Sequence, residues 1–197
     1  MSTKIYVEGG GDHKRTITAC RAGFGRYFEK IIPAGSLPRI VACGTRNKAY
    51  EDFARGLDDP KYDHILLLVD SESGVADGDD GWRHLQRRDG WAKPASAGDD
   101  SVHLMTQCME SWFLADKDRL AKYYGQSFKR GALPARKEIE QIAKADVHQA
   151  LANATKHTKK GLYHKTRHGF EILAAIDPTK VEAVSEFAHQ LHEALKE

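Results

Sequence analysis

Glu8, Asp70 and Glu72 are the side chains of this sequence best placed to do chemistry together. Glu8 ends the apolar run Lys4-Ile-Tyr-Val-Glu8 and opens onto Gly9, Gly10 and Gly11. Asp70 and Glu72 follow a second run, His64-Ile-Leu-Leu-Leu-Val69. Short apolar runs bounded by turn residues read as buried strands, and open α/β sheets bind ligands outside the carboxyl ends of their strands. Two strands that both end in acids point to a shared cation site. Carboxylate oxygens suit a hard divalent ion, Mg2+ or Mn2+, which can activate water and stabilise a phosphodiester transition state. Glu8 is then a third ligand or a general base. Glu110, between Met109 and Trp112, is a further ligand or a charge favouring a helix start. The alternative for Asp70 is a polar strand exit in which it caps a turn.

The elements that must position these acids follow from the pattern. Asp12 has the right type to cap a helix running to about residue 30, with Ile17, Cys20, Phe24 and Phe28 inward. Residues 38–43 form a second strand, and Gly44-Thr45 opens a helix with Tyr50, Phe53 and Leu57 inward. After the strand at 65–69 comes a long loop, from residue 70 to about 100, carrying Trp82 and Trp91 among Arg83, Arg87, Arg88 and Lys93. Residues 101–106 form a fourth strand, leading into a stretch in which Trp112 and Phe113 belong to the core. Short amphipathic helices are expected at 117–124, 136–144, 146–157, 169–176 and 179–195. Strands alternating with helices imply an α/β fold, a mainly parallel sheet flanked by helices. The organisation expected is a catalytic core over 1–116 and a helical C-terminal extension over 117–197.

Charge is unevenly distributed although the net charge is only +2. Residues 70–80 hold five acids and no Lys or Arg, while residues 147–170 hold five Lys/Arg, four His and no acid. Lys159, Lys160, Lys165 and Arg167 suit phosphate contacts, which position a nucleic-acid backbone without reading its sequence. Arg46 and Lys48, at a helix start on the same sheet edge as Glu8, could hold a phosphate; so could His13, Lys14 and Arg15. Trp82 and Trp91 could stack on unpaired bases or dock the loop or a partner. His157, His164 and His168 lack the paired spacing of structural zinc sites. The three cysteines, Cys20, Cys43 and Cys108, show no metal spacing and read as reduced, mostly buried thiols of a cytoplasmic protein. No signal-peptide pattern and no bilayer-length apolar run occurs, so no membrane partner is expected.

Tyr6-Val-Glu-Gly-Gly-Gly-Asp12 and Leu66-Leu-Leu-Val-Asp-Ser-Glu72 together resemble the TOPRIM pattern, a glutamate after strand one and an acid pair after a later strand. That domain is shared by topoisomerases, primases and the nucleases of overcoming-lysogenization-defect (OLD) proteins. With Arg39-Ile-Val-Ala-Cys-Gly44, Gln107-Cys-Met-Glu-Ser-Trp-Phe-Leu-Ala-Asp116 and Phe170-Glu-Ile-Leu173, the chain looks like a TOPRIM-like family encoded beside ATPases in bacterial phage-defence loci. The resemblance implies a TOPRIM-like, Rossmann-like fold with Glu8 as general acid/base or ligand, Asp70 and Glu72 as the metal pair, and Gly9 as the small residue after the glutamate. Glu72 stands where the superfamily usually has Asp; it reaches one methylene further and can still ligate.

The function expected is a Mg2+- or Mn2+-dependent nuclease acting on DNA or RNA, the effector of an antiphage system. It would be restrained or delivered by a separate ATPase subunit and could form homo-oligomers. The C-terminal helices and the Trp82–Trp91 loop are the expected docking surfaces, neither being needed to build the acidic site. The rival is a non-catalytic subunit binding nucleic acid or the ATPase. A haloacid-dehalogenase-type hydrolase needs Asp-x-Asp after strand one, where this chain has Val-Glu-Gly. An adhesion-type metal module needs serines where Glu72 and Gly74 stand. The sequence contains no Walker motif.

Overall fold

A computed structural model describes residues 2–33 and 35–196. Four strands, β1 (Thr3–Gly10), β2 (Arg39–Gly44), β3 (His64–Asp70) and β4 (Val102–Met105), form one sheet in the order β2-β1-β3-β4. Every pairing is parallel, with Val7 opposite Leu68 and Asp70 opposite Met105. The expected α/β fold is therefore present. In this order the chain leaves β1 to either side, which places the topological switch point between β1 and β3, where such sheets bind ligands.

Strand residues alternate between two apolar layers, as side chains on a pleat must. Ile5, Val7, Leu66 and Leu68 face one core, shared with α1 (Lys14–Phe28) and the C-terminal helices. Tyr6, Ile65, Leu67 and Val69 face the other, beneath α2 (Arg46–Gly56) and α3 (Gly81–Asp89). The alternation continues at the strand ends. Glu8 falls on the α2 side and Asp70 on the C-terminal side.

Helix α1 buries Cys20, Phe24 and Phe28 as expected, with Tyr27 beside them; each aromatic buried this fully stabilises the fold by about 1.5–3 kcal/mol. Asp12 does not cap it. His13 holds the cap position without a side-chain bond, and the Thr16 hydroxyl instead bonds back to the carbonyls of Gly10 and His13. In α2 the Thr45 side chain does accept from Lys48 N, an arrangement typically worth about 1 kcal/mol.

The segment expected as a loop contains α3. Asp80 caps it by accepting from Arg83 N, and Gly90 closes it at φ 73°. Trp82 and Trp91 are buried, at 6% and 9% exposure. Trp82 Nε1 donates to Gly98 O, and Trp91 stacks on Tyr50 at 4.5 Å. They are core residues of the second layer that dock this segment onto the sheet, so they offer no base-stacking platform.

Beyond β4, a 3-10 stretch (Met109–Asp116) buries Trp112 and Phe113. Helices α4 (Lys117–Tyr124), α5 (Lys144–Thr155), α6 (Phe170–Ala175), α7 (Pro178–Glu182) and α8 (Glu186–Lys196) follow. The helix expected at 136–144 is only a 3-10 turn, Ile139–Gln141. Its would-be ladder is intercepted: the amide of Gln107 donates to Glu140 O and its carbonyl accepts from Lys144 N, the two groups an α-helix would have paired. The helix expected at 179–195 is split into α7 and α8, because Ser185 Oγ accepts from Ala188 N and starts a new helix. Helix α6 lies directly on α1. A Cβ at Gly23 would stand 2.8 Å from Phe170 O, so only glycine admits that approach.

Candidate functional site

At the carboxyl edge the three expected acids meet. One oxygen from each of Glu8, Asp70 and Glu72 lies within 4.8 Å of the others. The backbone builds this convergence. The β1–β2 register slips at Gly9/Gly10, and Gly10, at φ 90°, lies so close to α1 that a Cβ there would come within 2.9 Å of Ile17 Cα. After β3 the chain turns at Glu72, a non-glycine residue at φ 66°, where its amide donates to Gln107 O. Such a conformation costs about 1–3 kcal/mol and clusters at functional sites.

Each acid has a distinct set of partners. Glu8 Oε2 accepts from Asp70 N at 3.2 Å and from Arg46 at 3.2 Å. Arg46 is clamped from behind by both oxygens of Asp89, at 3.1 and 2.8 Å, and its guanidinium lies over the Trp91 ring at 5.0 Å. It also donates to Asp70 O. Asp70, 1% exposed, accepts from Met109 N at 2.8 Å through Oδ1, while its Oδ2 faces Lys144 and Lys165, both at 3.3 Å. Lys144 also bonds Glu72 Oε1. Lys165, expected to meet nucleic-acid phosphate, thus stands beside the acids, apart from the rest of its basic run.

Glu110 lies apart from this trio. It is fully buried, with Tyr163 donating to Oε1 at 2.8 Å. Lys165 Nζ stands between it and Asp70, 3.9 Å from Glu110 Oε2. The basic groups expected elsewhere do not join the site. Lys48 pairs with Asp52 along α2 at 2.6 Å. Lys159 and Arg167 are exposed, and Lys160 lies over the Tyr123 ring at 4.5 Å.

The electrostatics separate the two glutamates. Burial, and then the charge of Asp70, raise the pKa of Glu8 against the pull of Arg46 and Lys165. Burial also pushes on Glu110, but the His148 ring, the Lys165 charge and the Tyr163 hydroxyl overcome it and hold that carboxyl at about 2. Burial would lower Lys165, yet the carboxylates of Asp70, Glu110 and Glu8 raise it above the ordinary lysine value. Lys144 is raised likewise, Asp70 and Glu72 outweighing its burial. Three converging carboxylates offer oxygen ligands to a cation, although Arg46, Lys144 and Lys165 already offset their charge. The Lys144 ammonium on Asp70 and Glu72 marks where positive charge is favoured, so the residues fit a metal ion.

The C-terminal region therefore helps to build the site, contrary to expectation. Lys144 comes from α5, while Tyr163 and Lys165 lie between α5 and α6. Sequence reasoning missed Lys144, Tyr163, His148 and Asp89. Only Asp89 carried a local signal, standing one residue before the glycine that ends α3. The three cysteines are free and buried, as read from the sequence. Among the described residues, no helix is long and apolar enough to cross a membrane.

An α/β chain with an acidic, cation-studded crevice at its switch point is the class defined so far. Residues 7–196 match the family described as "Domain of unknown function (DUF4276)", and the chain belongs to it. No curated protein and no solved structure matches the chain.

Proposed function

We propose that the protein is a divalent-metal-dependent nuclease of TOPRIM type, hydrolysing phosphodiester bonds in DNA or RNA. The observation that carries this reading is the convergence of Glu8, Asp70 and Glu72 at the β1/β3 switch point. These three residues would hold Mg2+ or Mn2+. When bound, the metal supplies an activated water and neutralises charge on the phosphoryl oxygens. Glu8 is the general acid/base, since burial and the neighbouring Asp70 raise its pKa and make it a stronger proton acceptor than an ordinary carboxylate. Arg46 and Lys165 place fixed positive charge beside the acids, where it can hold the phosphate of the scissile group. The resemblance to TOPRIM proteins of phage-defence loci supports an effector role in the cytoplasm, with a separately encoded ATPase as partner. The test is cleavage of mixed DNA and RNA by the purified chain with Mn2+ and with EDTA. Hydrolysis that EDTA abolishes supports the reading.

One observation favours a second reading. Lys144 already neutralises Asp70 and Glu72, as it would in a non-catalytic subunit that binds nucleic acid or the ATPase and keeps its acids for structure. Tight nucleic-acid binding with no hydrolysis under any metal would select it.

A further inference from the structure

We propose that Cys108, Glu110 and His148 form a second metal site, specific for a zinc-class transition ion and separate from the oxygen-only crevice. Their ligand atoms lie within 4.8 Å of one another. His148 Nε2 is 3.9 Å from Cys108 Sγ and 3.7 Å from Glu110 Oε2. A tetrahedral ion with bonds of about 2.0–2.3 Å spaces its ligands by about 3.4–3.8 Å, so the three atoms need only small movements to close on one. The independent sign of a ligand is Glu110 Oε2. It is fully buried and makes no hydrogen bond, having only the longer charge contacts to His148 Nε2 at 3.7 Å and Lys165 Nζ at 3.9 Å. A buried polar atom left so is costly unless something binds it.

The surroundings are those of a built site. Tyr163 OH donates to the other oxygen of Glu110 at 2.8 Å, and the Tyr163 amide is fixed by Thr155 Oγ1 at 2.8 Å. Outer partners of this kind orient metal ligands. Ser111 Oγ lies 3.7 Å from Cys108 Sγ and can bond the thiolate. His148 is half-exposed on α5, which gives the ion an entry path. Sulfur and imidazole select zinc-class ions over magnesium, which takes oxygen. Binding releases the Cys108 thiol proton to solvent. Lys165, between Asp70 and Glu110, keeps the two groups distinct.

The test uses the full chain, reduced and metal-free, titrated with Co2+ as a coloured stand-in for Zn2+. The expected result is a thiolate-to-cobalt charge-transfer band saturating at one ion per chain, displaced by Zn2+ but not by excess Mg2+. Cys108→Ser should abolish the band. His148→Gln, at a half-exposed position that does not threaten folding, should weaken Co2+ binding by more than about tenfold, since even outer partners are worth about 10–100-fold. Glu8→Gln should leave the band unchanged. Absence of the band, affinity in His148→Gln within tenfold of the parent, or loss of the band in Glu8→Gln overturns the proposal. None of these readouts depends on whether the protein cleaves nucleic acid.

Discussion

The ammonium of Lys165 stands 3.3 Å from Asp70 Oδ2, across 95 residues of chain. Asp70 is buried and Lys165 is about one-third exposed, so the pair is shielded only in part. Removing one partner of a fully buried pair costs about 3–5 kcal/mol. Here solvent reduces that, and Lys165→Met is expected to lower stability by about 1–3 kcal/mol. In an Asp70→Asn background the same change should cost clearly less, because the two residues are coupled. Urea unfolding of the four proteins checks this, and equal losses in both backgrounds would show that the pair contributes nothing.

Loss of ligands should separate chemistry from folding. Glu8→Gln, Asp70→Asn and Glu72→Gln are each expected to abolish cleavage and weaken Mn2+ binding in calorimetry while circular dichroism is unchanged. Asn at position 70 can still accept the bond from Met109 N, and Gln at position 8 removes one of two neighbouring like charges. A variant that retains full activity removes its residue from the site.

How much of this was legible depended on whether a signal was local. The strands and their terminal acids were, because period-two burial and a following glycine or serine turn are written in neighbouring residues. Helix α3 could have been read as well, from Asp80 at its start, Gly90 at its end, and Trp82 and Leu85 inward. Lys144 could not. It is held by the Gln107 side chain, which breaks a helix that residues 136–144 would favour by pattern alone. Lys165 could be read only as a member of a basic run. Its recruitment depends on α6 seating against Gly23, a contact between segments far apart in the chain.

The two glutamates should respond to pH in opposite senses. Glu110 has its pKa depressed to about 2, from 4.5. Its contribution to stability is therefore present above about 4.5 and lost as pH falls from there towards about 2, where the unfolded chain binds the extra proton. The size is at most about 3 kcal/mol. Glu8 has its pKa raised, so its contribution is present at low pH and lost as pH rises through its folded value. Glu110→Gln should flatten the acid limb of a stability–pH curve, and Glu8→Gln should be neutral or stabilising at neutral pH. A steeper acid limb in Glu110→Gln would contradict the assignment.

Within the basic stretch 156–167, the phosphate contacts proposed from the sequence reduce to Lys159, Lys160 and Arg167, now that Lys165 is engaged with Asp70. Each contact adds about 0.7–0.9 to the slope of log K against log salt. Neutralising all three should flatten that slope by up to about 2–3 in a binding titration. An unchanged slope would assign the stretch to a protein partner or to no partner.

Arg46 offers the sharpest test of how the crevice is held. Its guanidinium meets both oxygens of Asp89, one of Glu8, and the face of Trp91 at once. A lysine keeps the charge but has neither the planar fork for Asp89 nor the flat surface for the indole. Arg46→Lys should therefore leave net charge unchanged, lower stability by about 1–3 kcal/mol, and reduce cleavage more than Lys48→Ala, whose partner Asp52 lies along the same helix away from the acids. Arg46→Ala should be worse than Arg46→Lys in stability, because the partly buried Glu8 then loses its guanidinium partner and Asp89 keeps only Arg88. If lysine at this position matches the parent in both melting and cleavage, the fork geometry is immaterial and only the charge at Glu8 counts.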